Sequence, residues 1–480
     1  MNGWKRAPRP TLGLIFSIII IGFAAIAGIA TMAGCATMTT APAEIVDVAV
    51  ENSESPPTPE APQTQTGAEG PDAVRPEGNS VSPPTPEVPQ TQTEAVRLGF
   101  VGDVLMMTSQ ITGAKQGDGS YDFSGSFERV KALFATVDVM CGNFECTLAG
   151  EEAGYTQPRE TQAPATAENP NPTPAPYQSF NAPDELAADL RRAGFDLFTT
   201  ANNHSLDRDD AGLFRTIKVL RGAGLTTTGT HLSQADKAKP CVLEAGGMKI
   251  GFVGATEMLN STAPGLNREN EAFAVTRLGR DWDALAGEIA ACREAGAEFI
   301  ILLVHWGVEY ENAPNSAQQK QADRLIALGA DAIIGSHPHV AQPMEWRQAE
   351  RNGESIRVPV VYSLGNFISN MSQKKAKMGL FARLTLTRGQ SGGVVCTELA
   401  YLPLACTREE DSSGRKVHQV LPCFENGKLE PRSRPPGEDT LALMEEASAY
   451  IDQVCGGENI IKIGWGDVYA GKAQRNQSAQ

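Results

Sequence analysis

Asp103, Glu145, Asn203, His204, His305, His337 and His339 each stand within a few residues of an apolar run. Together they hold four of the six histidines in the chain. Carboxylates, an amide oxygen and imidazoles are the donors that hard-to-borderline divalent cations such as Mn, Fe or Zn accept. Singly, each has a plain structural explanation. Asp103 follows Gly102 and could cap a turn, Glu145 could be a solvated loop carboxylate, and Asn202 and Asn203 tolerate left-handed turns. A lone histidine after a strand is more often a buried neutral ring than a ligand. Seven such residues at successive strand ends reverse that balance and point to one shared site.

The elements that must position them are buried strands. Phe299 to Val304 is wholly apolar and runs straight into His305, and Ala332 to Ile334 leads into Gly335-Ser336-His337-Pro338-His339. Runs of this kind read as parallel strands covered on both faces, and open α/β sheets place ligands beyond the carboxyl ends of their strands. On a regular strand His337 and His339 would point the same way, but Pro338 between them predicts an irregular loop. Further strands are expected at Val96 to Val101, Asp138 to Cys141, Asp196 to Thr200, Met248 to Gly254 and Val358 to Ser363. Helices are expected at Pro183 to Ala193, Asp210 to Arg221 with a stop at Gly222, Arg280 to Glu294 and Ser316 to Leu328. This alternation gives an α/β domain with a largely parallel sheet. Antiparallel strands follow at Leu380 to Leu386 and Val394 to Tyr401, then a helix from Thr440 to Val454.

The remaining chain concerns placement rather than chemistry. Lys5, Arg6 and Arg9 precede an apolar stretch from Leu12 to about Ala33, long enough to span a bilayer with its basic flank inside. Met32-Ala33-Gly34-Cys35 resembles a lipobox, so residues 1–35 are either a lipoprotein signal with Cys35 lipidated or an uncleaved anchor. Both place the rest of the chain outside the cytoplasm, attached to the cell membrane. Residues 36–95 are rich in Pro, Thr, Glu and Gln, and Ser55 to Thr66 recurs as Ser82 to Thr93 with one change. Such a segment cannot bury a core and reads as a disordered stalk. Fully extended, at ~3.1 Å per residue, it reaches more than about 100 Å. Residues 96–405 form the expected catalytic domain, with a Pro-rich insertion at 151–176, and residues 406–480 a C-terminal extension. The formal charge of −16 argues against nonspecific nucleic-acid binding. Eight scattered cysteines besides Cys35 include no CxxC pair, and Cys406 with Cys423 is the pairing expected if any forms.

Taken in order, Phe100-Val-Gly-Asp-Val, Asn143-Phe-Glu145, Ala201-Asn-Asn-His-Ser-Leu-Asp207, His305-Trp-Gly-Val-Glu309, Gly335-Ser-His-Pro-His339 and Ser363-Leu-Gly-Asn-Phe367 resemble the bacterial capsule-synthesis CapA family, associated with poly-γ-glutamate. The resemblance covers about Val96 to Ser369. That family is similar to calcineurin-like metallophosphoesterases, which implies a four-layer α/β/β/α sandwich around one or two divalent metal ions. By the same resemblance Asp103 and His339 serve one metal, His305 and His337 the other, Glu145 bridges, Asn203 is a further ligand, and His204 protonates the leaving group. Asn143, Glu309 and Asn366 would orient ligands or shape the pocket. The chain departs from the metallophosphoesterase pattern at Leu105, where a histidine ligand is usual. Two functions follow as expectations. One is an extracytoplasmic metal-dependent hydrolase of phosphoesters or γ-glutamyl amides. The other is a non-catalytic accessory subunit of a membrane synthase complex that binds the anionic envelope polymer.

Overall fold

Alternation within the apolar strands decides the layering. The chain was described from a computed structural model covering residues 95–157, 179–260, 266–267, 269–351, 353–390, 392–428 and 435–469. The expected anchor, Cys35, the stalk and most of the 151–176 insertion lie outside those residues. Among the described residues no helix is long and apolar enough to cross a membrane. In chain order the strands are β1 (Val96–Val104), β2 (Val139–Phe144), β3 (Leu197–Thr199), β4 (Thr226–Thr228), β5 (Val242–Ala245), β6 (Met248–Thr256), β7 (Phe299–His305) and β8 (Ala332–Ser336). They continue as β9 (Ala341–Arg351), β10 (Glu354–Leu364), β11 (Asn366–Ile368), β12 (Met378–Arg388), β13 (Val394–Glu410), β14 (Lys416–Pro422) and β15 (Ile460–Lys462).

The strands form two sheets. One runs β14-β13-β12-β1-β2-β3-β4, with β11 beside β1 and β15 beside β13. The other runs β5-β6-β7-β8-β10-β9. Phe299, Ile301 and Leu303 of β7 pack in one core with Leu98 and Phe100 of β1, so these faces meet between the sheets. Ile300, Leu302 and Val304 face the other way, onto Leu285 and Ile289 of the helix Trp282–Glu294 and Leu325 of the helix Ser316–Ala327. On the far side of the first sheet, Val101 and Phe198 pack with Leu186 and Leu190 of the helix Glu185–Ala193. The order is therefore helix, sheet, sheet, helix, a four-layer α/β/β/α arrangement. Each fully buried Leu or Ile contributes about 1.5–3 kcal/mol. A single Leu302→Ala change in β7 would cost about 2–5 kcal/mol.

Local signals set the helix ends. Asp281 caps Trp282–Glu294 by accepting from the Ala284 N–H, and Asn315 with Gln318 closes a capping box on Ser316–Ala327. The helix Asp209–Gly222 runs through the expected stop, and Gly224, at φ 84°, provides the left-handed turn instead.

Three further expectations are corrected. The runs β1-β2-β3-β4 and β6-β7-β8-β10 are parallel, as are the short pairs β1-β11 and β13-β15, and antiparallel strands flank both runs. The boundary at 405 falls inside β13, and β14 and β15 pair with that same strand, so 406–469 complete the first sheet where described. Cys406 and Cys423 are free thiols in separate apolar clusters. The Cys406 thiol donates to the Ser369 carbonyl and the Cys423 thiol to that of Leu421.

Candidate metal centre

The carboxyl ends of β1, β2, β3, β7 and β8 meet where the two sheets face one another. Asp103 comes at a register break near the end of β1, opposite Asn143 of β2 and Asn366 of β11. Gly102 permits that approach, because a Cβ there would stand 1.8 Å from the Gly365 carbonyl oxygen. Glu145 is one residue past β2, and its N–H is held by the Val104 carbonyl. Asn203 and His204 lie in the turn after β3, and His305 is the last residue of β7. His337 and His339 follow β8 with φ of 98° and 59°. Left-handed backbone is costly for a histidine and persists at sites that the surroundings over-determine. Gly335 just before them packs so closely that a Cβ would meet the Tyr362 carbonyl oxygen at 2.1 Å.

All seven candidate residues are buried and come together. His305 Nε2 is 2.9 Å from Asn203 Oδ1 and 3.0 Å from His337 Nδ1. His339 Nδ1 is 3.0 Å from both Asp103 Oδ2 and Asn366 Oδ1. Glu145 Oε1 lies between the two halves, 3.6 Å from His305 Nε2 and 3.9 Å from His339 Nε2. Donor atoms of Glu145, His337 and His339 fall within 4.8 Å of one another, as do those of Asp103, Glu145 and His305, so Glu145 is common to both groups.

Burial controls the electrostatics. It raises the Glu145 carboxyl well above the usual range, and the neighbouring Asp103 charge adds to this. Burial holds His305 far below its ordinary value, helped by His337 and His339, and brings His337 to about 3. For His339 burial acts downward, but the Asp103 hydrogen bond and charge outweigh it and raise the ring. His305 and His337 are therefore neutral near neutral pH, the form in which imidazole coordinates a metal. Glu145 Oε1 is buried without any hydrogen-bond partner. A buried carboxyl oxygen left without a partner among imidazoles is the environment a divalent cation satisfies, and the donor set fits one.

The four asparagines play different parts. Asn202 Nδ2 donates to the Phe144 carbonyl and to Asn143 Oδ1, which turns the Asn143 NH2 inward. That NH2 meets Asp103 Oδ1 at 2.8 Å, His305 Nδ1 at 3.2 Å and Glu145 Oε2 at 3.3 Å. Asn143 thus orients ligands and offers no lone pair. Asn203 presents its oxygen to His305. Asn366 is bonded to His339, while Glu309 is exposed, its charge acting on Glu145 and His339. Leu105 is turned into the helix-side core and supplies nothing to the site. Trp306 is fully buried with its N–H on the Tyr362 carbonyl, a packing residue.

Asp207 had no assigned role in the sequence, yet its Oδ2 is 2.8 Å from His204 Nδ1. Phe180 covers the same ring at 4.4 Å between centroids. The spacing of three residues between His204 and Asp207 was the available signal, since a turn brings such positions together. Phe180 is too distant in sequence to be anticipated.

The pattern of the family described as bacterial capsule synthesis protein PGA_cap matches residues 97–371, more than half of the chain. The capsule biosynthesis protein CapA of Bacillus anthracis is 24% identical over 288 residues, covering 59% of this chain and 62% of that one. The PGA biosynthesis protein CapA of Bacillus subtilis is 25% identical over 296 residues, covering 61% and 68%. The match thus spans less than two thirds of the first relative. Among solved structures, the NAD nucleotidase of Haemophilus influenzae aligns at TM-score 0.38 and 11% identity, over 81% of this chain and 68% of that one. A 5'-nucleotidase from Staphylococcus aureus, described as putative, aligns at 0.39 and 14%, over 75% and 59%. Likenesses this small carry no argument about activity. The match over 97–371 does settle descent: the chain belongs to the bacterial capsule synthesis protein family PGA_cap.

Proposed function

We propose that this protein acts in capsule or poly-γ-glutamate biosynthesis as a metal-dependent hydrolase, held outside the cytoplasm by its N-terminus. The observation that carries the hydrolase reading is Glu145 Oε1, buried, unpartnered and flanked by His305 and His339. Asp103, Glu145 and His339 would hold one divalent ion, and Glu145, His305, His337 and Asn203 a second. Such ions supply Lewis acidity at the reacting oxygens and a nucleophilic water at neutral pH.

The chain's own residues do the rest. Asn143 fixes Asp103, Glu145 and His305 relative to one another through one NH2 group. Asp207 holds His204 Nδ1, which leaves Nε2 as the atom that can carry a proton and give it to a leaving oxygen or nitrogen. The candidate substrates are a phosphoester and a γ-glutamyl amide. In either, water adds to phosphorus or to the carbonyl carbon, the ester or amide bond breaks, and His204 protonates the departing group.

The second reading, a non-catalytic accessory subunit that binds an anionic envelope polymer within a membrane synthase complex, draws on Leu105 contributing no donor. One experiment separates the two. Protein loaded in turn with Mn, Fe and Zn is assayed on nitrophenyl phosphate mono- and diesters and on a γ-glutamyl anilide, with His204→Ala as control. Hydrolysis that His204→Ala abolishes, with metal content unchanged, is expected. No turnover by any loaded form would overturn the hydrolase reading, and equal turnover by the variant would overturn the role given to His204.

A further inference from the structure

We infer that Asn366 Oδ1 is itself a ligand to the divalent ion at the Asp103 end of the site. The inference rests on the metal-centre reading above. At that end the acidic and imidazole donors number three: Asp103, Glu145 and His339. Borderline cations take at least four donors. Leu105, the residue just past the end of β1, faces the apolar core and cannot be the fourth.

Asn366 is built to present an oxygen there. It is buried, 1% exposed, and lies opposite Asp103 in the β1–β11 pairing. Its Nδ2 is 2.9 Å from the Ala376 carbonyl oxygen and 3.0 Å from Ser369 Oγ. A carbonyl can only accept, so Nδ2 must be the donor and the amide orientation is fixed. Oδ1 is thereby aimed inward, the opposite sense to Asn143, whose NH2 points into the site.

The surroundings of that oxygen favour a cation. Asp103 Oδ2 and Asn366 Oδ1 both converge on His339 Nδ1 at 3.0 Å. One ring nitrogen has at most one proton to give, so it cannot satisfy two acceptors fully. The His339 N–H thus lies between two oxygens, both turned toward the same point. A divalent ion satisfies both at once, and an amide carbonyl is a suitable oxygen ligand.

The test is a crystal structure of Mn(II)-loaded wild-type protein with anomalous scattering, together with Mn(II) titrations of wild type, Asn366→Leu and Asn366→Asp. Asn366 Oδ1 is expected in the first coordination shell of one Mn(II). Asn366→Leu is expected to lose at least about tenfold in affinity for that ion while keeping the ion at His305 and His337, and Asn366→Asp to retain both. Melting curves of the ion-free variants confirm folding. Mn(II) at the site with Asn366 Oδ1 still on His339, or Asn366→Leu binding both ions as wild type does, would overturn the inference. No Mn(II) in the wild-type crystal would instead overturn the metal-centre reading on which it rests.

Discussion

His418 gives a prediction that can be worked through from its surroundings. It lies in β14, only 5% exposed, with Nε2 at 2.9 Å from Asn370 Oδ1. Its Nδ1 is buried with no partner, so a second ring proton would have no acceptor. Burial pushes its pKa down to about 4, and the charges of Arg408 and Lys377 add to this. An unfolded histidine titrates near about 6.5. The folded value is the lower one, so unfolding takes up a proton between the two. The resulting stability is complete above about pH 6.5, declines as pH falls, and is gone near pH 4. The whole shift is worth about 3.4 kcal/mol, of which about 2 kcal/mol is lost by about pH 5. Denaturant unfolding of wild type and His418→Gln, each at about pH 7.5 and about pH 5, isolates this histidine from the others. Wild type should lose about 2 kcal/mol more than the variant between those conditions. Equal losses would refute the reasoning.

Three other perturbations address the site. Asn143→Asp places a third carboxylate against Asp103 and Glu145, so the ion-free protein should be destabilised by about 1–3 kcal/mol and divalent ions should restore more stability than in wild type. Melting curves with and without chelator measure both. Asp207→Asn removes a charged partner of His204 worth about 1.5–3 kcal/mol, so turnover should fall about 10- to 150-fold with metal content unchanged. Gly335→Ala must displace the Tyr362 carbonyl or the strand, which should cost about 1–3 kcal/mol or more in urea unfolding.

Much of this arrangement was legible in the chain, for physical reasons. Phe299 to Val304 reads as a doubly covered strand, and His305 at its end followed from that. His337 and His339 were expected on an irregular loop because of Pro338, and both take left-handed backbone. Less visible were the strands whose burial is one-sided. β9, Ala341–Arg351, is largely polar along its outer half and carries no strong strand signal, yet it pairs with β10 over ten residues. β4, with the sequence Thr-Thr-Thr, is too short to stand out. The cysteine pairing failed because sequence proximity does not say which layer a thiol enters: Cys406 faces the helix-side core, and Cys423 lies in a separate cluster with Met444 and Ala447 of the C-terminal helix. In the site, residue types were readable but orientations were not. That Asn143 turns an NH2 inward and Asn366 an oxygen depends on the carbonyls of Phe144 and Ala376, contacts made only by the fold.

The central claim is that the strand-end cluster is a divalent metal centre organised around Glu145. The most direct measurement is the number of ions retained per chain after loading with Mn, Fe or Zn and exhaustive dialysis, for wild type and for Glu145→Gln. Wild type should retain one or two ions, and Glu145→Gln, which keeps the side-chain shape but not the charge, should retain fewer. A wild-type protein that holds no ion under any of the three loadings, or a variant that holds as many as wild type, would contradict the account.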